Sequence, residues 1–135
     1  MGHWYTIGVL AGVGTALGIA ATGVLRRPLL GFPVAAVIAA AIGLVLGTWG
    51  ELAAGIVGAG CGAFGSAPLI GGALRRGGTR GGTAVLLAVA SIVAAAIAFI
   101  PVVGYLEAVA VPALGLRVRR RSPDRHAGLR TLARD

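Results

Sequence analysis

Lysine is absent from this chain, acidic residues number only four, and charged side chains of both signs occupy 12% of its positions. Soluble domains carry about twice that share, while the apolar content here is 57%. So few charges cannot clothe a water-facing surface, which excludes an ordinary soluble globule. Cysteine occurs once, at Cys61, so there is no internal disulfide and no second thiol for a metal site. None of the apolar runs alternates strictly between polar and apolar residues, as the strands of a transmembrane β-barrel must. Helices are the remaining way to satisfy backbone polar groups in lipid. Met1, Gly2, His3 and Trp4 supply no basic stretch ahead of the first apolar run, so that run reads as a retained span rather than a cleaved leader.

Catalytic sets are missing as well. Ser66 and Ser91 have no base or orienting acid nearby in the sequence, and no acid–base pair or metal cluster can be assembled. His3 and His126 fall on opposite sides of the topology derived below and cannot share a metal. A non-enzyme without metal or cofactor is the expectation.

What the chain has instead is length in apolar runs, with a mean hydropathy of +0.92. Its 135 residues allow one domain. The predicted spans are 5–25, 29–47, 52–74, 83–100 and 102–116, followed by a basic cytoplasmic tail over 117–135. The fold class is therefore all-α, a polytopic integral membrane helix bundle of about five transmembrane helices. Arg26, Arg27 and Pro28 end the first run, and Pro28 suits the first position of the next helix, where its missing N–H costs nothing. Thr48 and Glu51 have the spacing of a capping box, Thr48 as N-cap and Glu51 reaching back. The glycines and Arg80 between 77 and 82 read as a loop. The last apolar stretch is too long for one span and short for two. Pro101 and Gly104 mark a reversal, giving a short hairpin of two helices of about 16 residues, each reaching ~24 Å. A hairpin that re-enters without crossing is the alternative.

Two markers orient the bundle. With the N-terminus outside and the C-terminus inside, all twelve arginines fall in 26–28, 75–82 and 117–135, the inner side by the positive-inside rule. Trp4, Tyr5, Trp49 and Tyr105 fall near the outer helix ends, where amphipathic rings favour the headgroup layer. The net charge of +8 is thereby assigned to topology rather than to nucleic acid. Arginine without lysine, beside abundant alanine and glycine, points to a GC-rich bacterial genome and a plasma-membrane location.

Four features carry functional readings. Gly55, Gly58, Gly62 and Gly65 share one helix face, a groove for close approach of another helix in the same chain or in a second copy. Glu107 is the one ionisable residue well inside a span and is the candidate ion or proton site. It lies about 8 Å along its helix from the outer end, and no second ionisable group within the spans supplies a relay. Arg75, Arg76 and Arg80, with Arg117, Arg119, Arg120 and Arg121, are candidate contacts for anionic lipid headgroups of the inner leaflet. The first three also border a possible anion nest at the start of the fourth helix. In the tail, Ser122, Pro123 and Asp124 read as the start of a short basic surface helix. The predicted function is a small non-enzymatic membrane protein, self-associating or an accessory subunit. The alternative is a small oligomeric channel or transporter using Glu107.

Overall fold

The computed structural model describes residues 2–46 and 48–121, with the backbone alone at Arg121. The predicted tail helix lies outside these residues. Among the described residues there are five helices and no strand: α1 (His3–Leu25), α2 (Pro28–Leu46), α3 (Trp49–Arg75), α4 (Arg80–Ile97) and α5 (Val103–Arg121). Four of them, α1 to α4, are long and apolar enough to cross a membrane. The fifth is long enough but carries Glu107 and a run of arginines at its end.

Helices α1, α3 and α5 run parallel, and α2 and α4 run against them. The register shows this directly: Gly14 meets Gly55 and Gly18 meets Ala59, Gly8 lies by Gly104 and Gly12 by Glu107, whereas Gly31 meets Thr22 and Gly43 meets Leu52. The α1–α3 pair is the centre. A β-carbon on Gly58 or Gly62 would collide with the carbonyls of Ala11 and Thr15, and one on Gly14 or Gly18 with those of Gly55 and Ala59. Backbone therefore rests on backbone in both directions. In lipid, where apolar burial between helices has no solvent drive, such contact is what holds helices together.

Local chemistry sets the joints. Arg26 ends α1 in a left-handed conformation (φ 60°), its N–H bonded to Thr22 O at 2.7 Å. Helix α2 starts at Pro28. At the end of α3, Gly78 N–H donates to Ala73 O and Gly77 N–H to Leu74 O, with Gly77 at φ 84°. This is a Schellman closure, and only glycine takes its left-handed position without strain. Thr79 then caps α4, accepting from Gly82 N–H at 3.2 Å.

Several sequence expectations need correction. The loop predicted over 77–82 is shorter, because the Thr79 cap starts α4 at Arg80. The last two helices are 18 and 19 residues long, about 27 and 28 Å, rather than 16 residues each. Arginine is a good helix former, so α5 runs on through Arg117, Arg119 and Arg120 beyond the predicted end at 116. Nor is the pair a tight hairpin: α4 packs on α1, and α5 packs on α3 and α1, so the two hardly touch. Gly104 is not in the turn; it lies inside α5, against the Gly8 carbonyl. The turn is made by residues 98–102, with Val102 at φ 73°, an unusual backbone conformation for a β-branched residue.

Burial is uneven. Of the most apolar stretch of α1, 61% is buried, against 22% for α2 and 6% for α4. Leu86, Val89, Ile92 and Val93 of α4 all face outward.

Candidate functional site

Parallel packing of α1, α3 and α5 gathers the tyrosines and tryptophans at one end. Tyr5 OH donates to Phe99 O at 2.7 Å, and Tyr105 OH donates to Trp4 O. Trp49 sits at the start of α3 on the same end, 83% exposed. Beside them is a polar cluster of which the local sequence marks only the Thr48–Glu51 spacing. Thr6 donates to one oxygen of Glu51 and Thr48 to the other, while His3 Nδ1 lies 3.6 Å from Glu51 Oε1. Glu51 is only 3% exposed. Thr48 is the N-cap in backbone conformation, but its hydroxyl donates to Glu51 instead of accepting from a helix N–H. The capping-box spacing thus serves a different purpose: it fixes a carboxylate that also ties α3 to Thr6 of α1. Thr6 and Glu51 are 45 residues apart, so periodicity could not have paired them.

Glu107 sits in the bundle rather than on its rim. Its carboxylate lies against Gly12, with Ala98 and Gly104 close by; a β-carbon on Gly12 would fall 2.8 Å from Oε2. The residue is 9% exposed, and neither carboxylate oxygen has a hydrogen-bond partner. Measured along α5, it is four residues from the helix start. Measured along α1, however, Gly12 is nine residues from His3, about 14 Å. The difference arises because the turn between α4 and α5 is recessed below the end of α1. Every residue of that turn, from Ala98 to Val102, is apolar. Glu107 is therefore deeper than the 8 Å read from its own helix.

The predicted glycine face is divided among three neighbours. Gly58 and Gly62 meet α1, Gly55 meets Ala39 of α2, and Gly65 meets Val111 and Pro112 of α5. All four are buried. Cys61, one residue from this face, is half-buried.

At the opposite end lie Arg26, Arg27, Arg75, Arg76, Arg80, Arg117, Arg119 and Arg120, at the ends of α1, α3 and α5 and the start of α4. Arg121 ends α5 there too. Around Arg75, Arg76 and Arg80, the N–H groups of Gly77, Gly78 and Gly82 are bonded to Leu74, Ala73 and Thr79. The structure brings Arg75 and Arg119 to a common groove of about 570 Å³ between α3 and α5, lined above them by Phe64, Pro68, Pro112 and Leu116. Arg76, Arg80, Arg117 and Arg120 do not line it.

Among the described residues no group of three metal-ligating side chains comes together. Comparison with family models, curated proteins and solved structures finds no match for this chain.

Proposed function

We propose that the chain is a non-enzymatic multi-pass membrane protein, inserted with its aromatic end outside and its arginine end in the cytoplasm, which works as a membrane-embedded scaffold or accessory subunit. One observation carries this reading. The bundle has two chemically unlike ends, tyrosine, tryptophan and a tied carboxylate at one and guanidiniums at the other, separated by a belt of exposed apolar side chains. A bilayer matches that order of layers. Helices α1 to α4 cross it, and α5 is carried against α1 and α3, its carboxylate kept from the acyl chains. The glycine faces are consumed within the monomer, which leaves the bare outer face of α4 as the surface for a partner helix or for lipid. Fusion of a periplasmically active reporter at residue 1 and a cytoplasmically active reporter at residue 135 tests the topology. Activity of both is expected, and activity of neither, or extraction of the chain by alkaline carbonate, overturns it.

A second reading, transport of a proton or small cation, is favoured by the unpartnered, mid-depth carboxylate of Glu107. Intramembrane carboxylates of this kind commonly mark ion pathways. Flux into liposomes is then expected from the native chain and lost in Glu107→Gln. Identical background flux from both ends this reading and leaves the scaffold reading standing.

A further inference from the structure

The groove at the arginine end has an ordered chemistry. On α3, Phe64, Pro68 and Arg75 line it; on α5, Pro112, Leu116 and Arg119 do. Both sets follow helical spacing, at i, i+4 and about three turns in α3 and at i, i+4 and i+7 in α5, so each is one continuous row. In both rows the apolar residues come first and the guanidinium stands at the end nearest the cytoplasmic face of the topology proposed above. The groove is thus apolar in its depth and doubly cationic at its mouth.

Two further observations point to an anion. The described acids are Glu51 and Glu107. Glu51 is bonded to Thr6 and Thr48 at the far end, and Glu107 is buried against Gly12. Among the described residues neither Arg75 nor Arg119 has an ion-pair partner. The cleft also has a structural cause. Gly65 and Gly115 hold α3 and α5 in backbone contact, while Pro68 and Pro112 beside them lack the N–H that would continue each helix and keep it straight.

We propose that this groove binds one anionic phospholipid of the inner leaflet, its phosphate between Arg75 and Arg119 and an acyl chain along Phe64 and Pro112. The proposal rests on the membrane reading above and narrows the seven arginines marked in the sequence to two. A zwitterionic lipid offers the same chain and phosphate but no net charge for the two guanidiniums, so the site discriminates by headgroup.

Native mass spectrometry of the full chain in detergent, titrated with phosphatidylglycerol or phosphatidylcholine, tests it. One phosphatidylglycerol is expected to be retained in preference to phosphatidylcholine. The R75Q/R119Q chain should lose that retention by about 30-fold, the loss of two basic contacts. The R76Q/R120Q chain, with the same change in charge, should keep it. Because all four arginines are exposed, none of these changes touches the packed interior. Ala67→Leu, which fills the groove and keeps both charges, should also lose the lipid. Equal retention of the two lipids overturns the proposal. So does equal loss in both double variants, or competition by chain-free glycerol phosphate as effective as by the lipid, since each means only a diffuse surface charge. Retention that rises in D124N/D135N would show that the tail carboxylates take the site instead. Carbonate extraction on the same membranes reports insertion separately, so failure of lipid binding and failure of the membrane reading are told apart.

Discussion

Burying Glu107 beside Gly12 leaves two acceptor atoms without a donor, and each such buried group costs about 1–3 kcal/mol. A side chain of similar length with no polar atoms avoids that cost. Glu107→Met is therefore expected to raise the melting temperature in detergent, by the equivalent of about 1–3 kcal/mol. An unchanged or lower melting temperature would mean the carboxylate has a partner in solution. Glu51, equally buried, behaves in the opposite way because Thr6 and Thr48 both donate to it. Replacing it with methionine removes the acceptor of the Thr48 hydroxyl and the tie from α3 to Thr6, whose hydroxyl keeps only the His3 carbonyl, so thermal stability should fall. A second site of strain is Val102, whose left-handed backbone costs about 1–3 kcal/mol in a non-glycine residue. Val102→Gly should stabilise the chain by roughly 1 kcal/mol after the glycine's own entropic cost, measured in the same melting experiment.

At the scale of helices, the prediction concerns which glycines matter. Gly58 and Gly62 have no room for a β-carbon, because the carbonyls of Ala11 and Thr15 occupy the space. Alanine at either position pushes α1 and α3 apart, a loss of about 1–3 kcal/mol or more by overpacking. Gly81, in the first turn of α4, has nothing within 4 Å of its would-be β-carbon. Alanine there should instead stabilise by roughly 0.5–1 kcal/mol through helix propensity. Equal effects at the two places would contradict the packing. Much of this level was legible beforehand. Pro28 behind Arg26 and Arg27 does start α2, because a residue that cannot donate belongs at a helix beginning. Periodicity placed Gly55, Gly58, Gly62 and Gly65 on one face, since a straight helix obeys a local rule. What meets that face is not local, so its division among α1, α2 and α5 could not be read. The depth of Glu107 was misjudged for the same reason: distance along α5 is in the sequence, but the recess of its turn against α1 is not. The start of α4 was missed because glycines on both sides of Arg80 resemble a loop, and only the Thr79 hydroxyl, accepting from Gly82, shows that the helix has begun.

For the whole molecule, the exposed face of α4 is where association would occur. Light scattering in detergent should give the mass of a monomer if α4 faces lipid alone. A dimer that separates when Val89 and Ile92 are both replaced by asparagine would assign that face to a second copy. A dimer that survives the change would place the seam elsewhere. Cys61, half-buried beside helices of its own chain, is poorly placed to crosslink two copies, and cysteine introduced at Val89 is the better reporter.

The parallel α1–α3 pair also has a bearing on how the molecule comes into being. Its contacting carbonyls and glycines all lie before residue 66, so that seam is complete while the ribosome is still making the remainder. The last helix then arrives at a slot already moulded by Gly8, Gly12 and Gly65, carrying Glu107 into it. Until that moment Gly8 and Gly65 lack the side chains of Tyr105 and Val111 that cover them. If the chain is inserted as proposed, the nascent chain at this stage is a natural client for whatever machinery escorts helices into the bilayer.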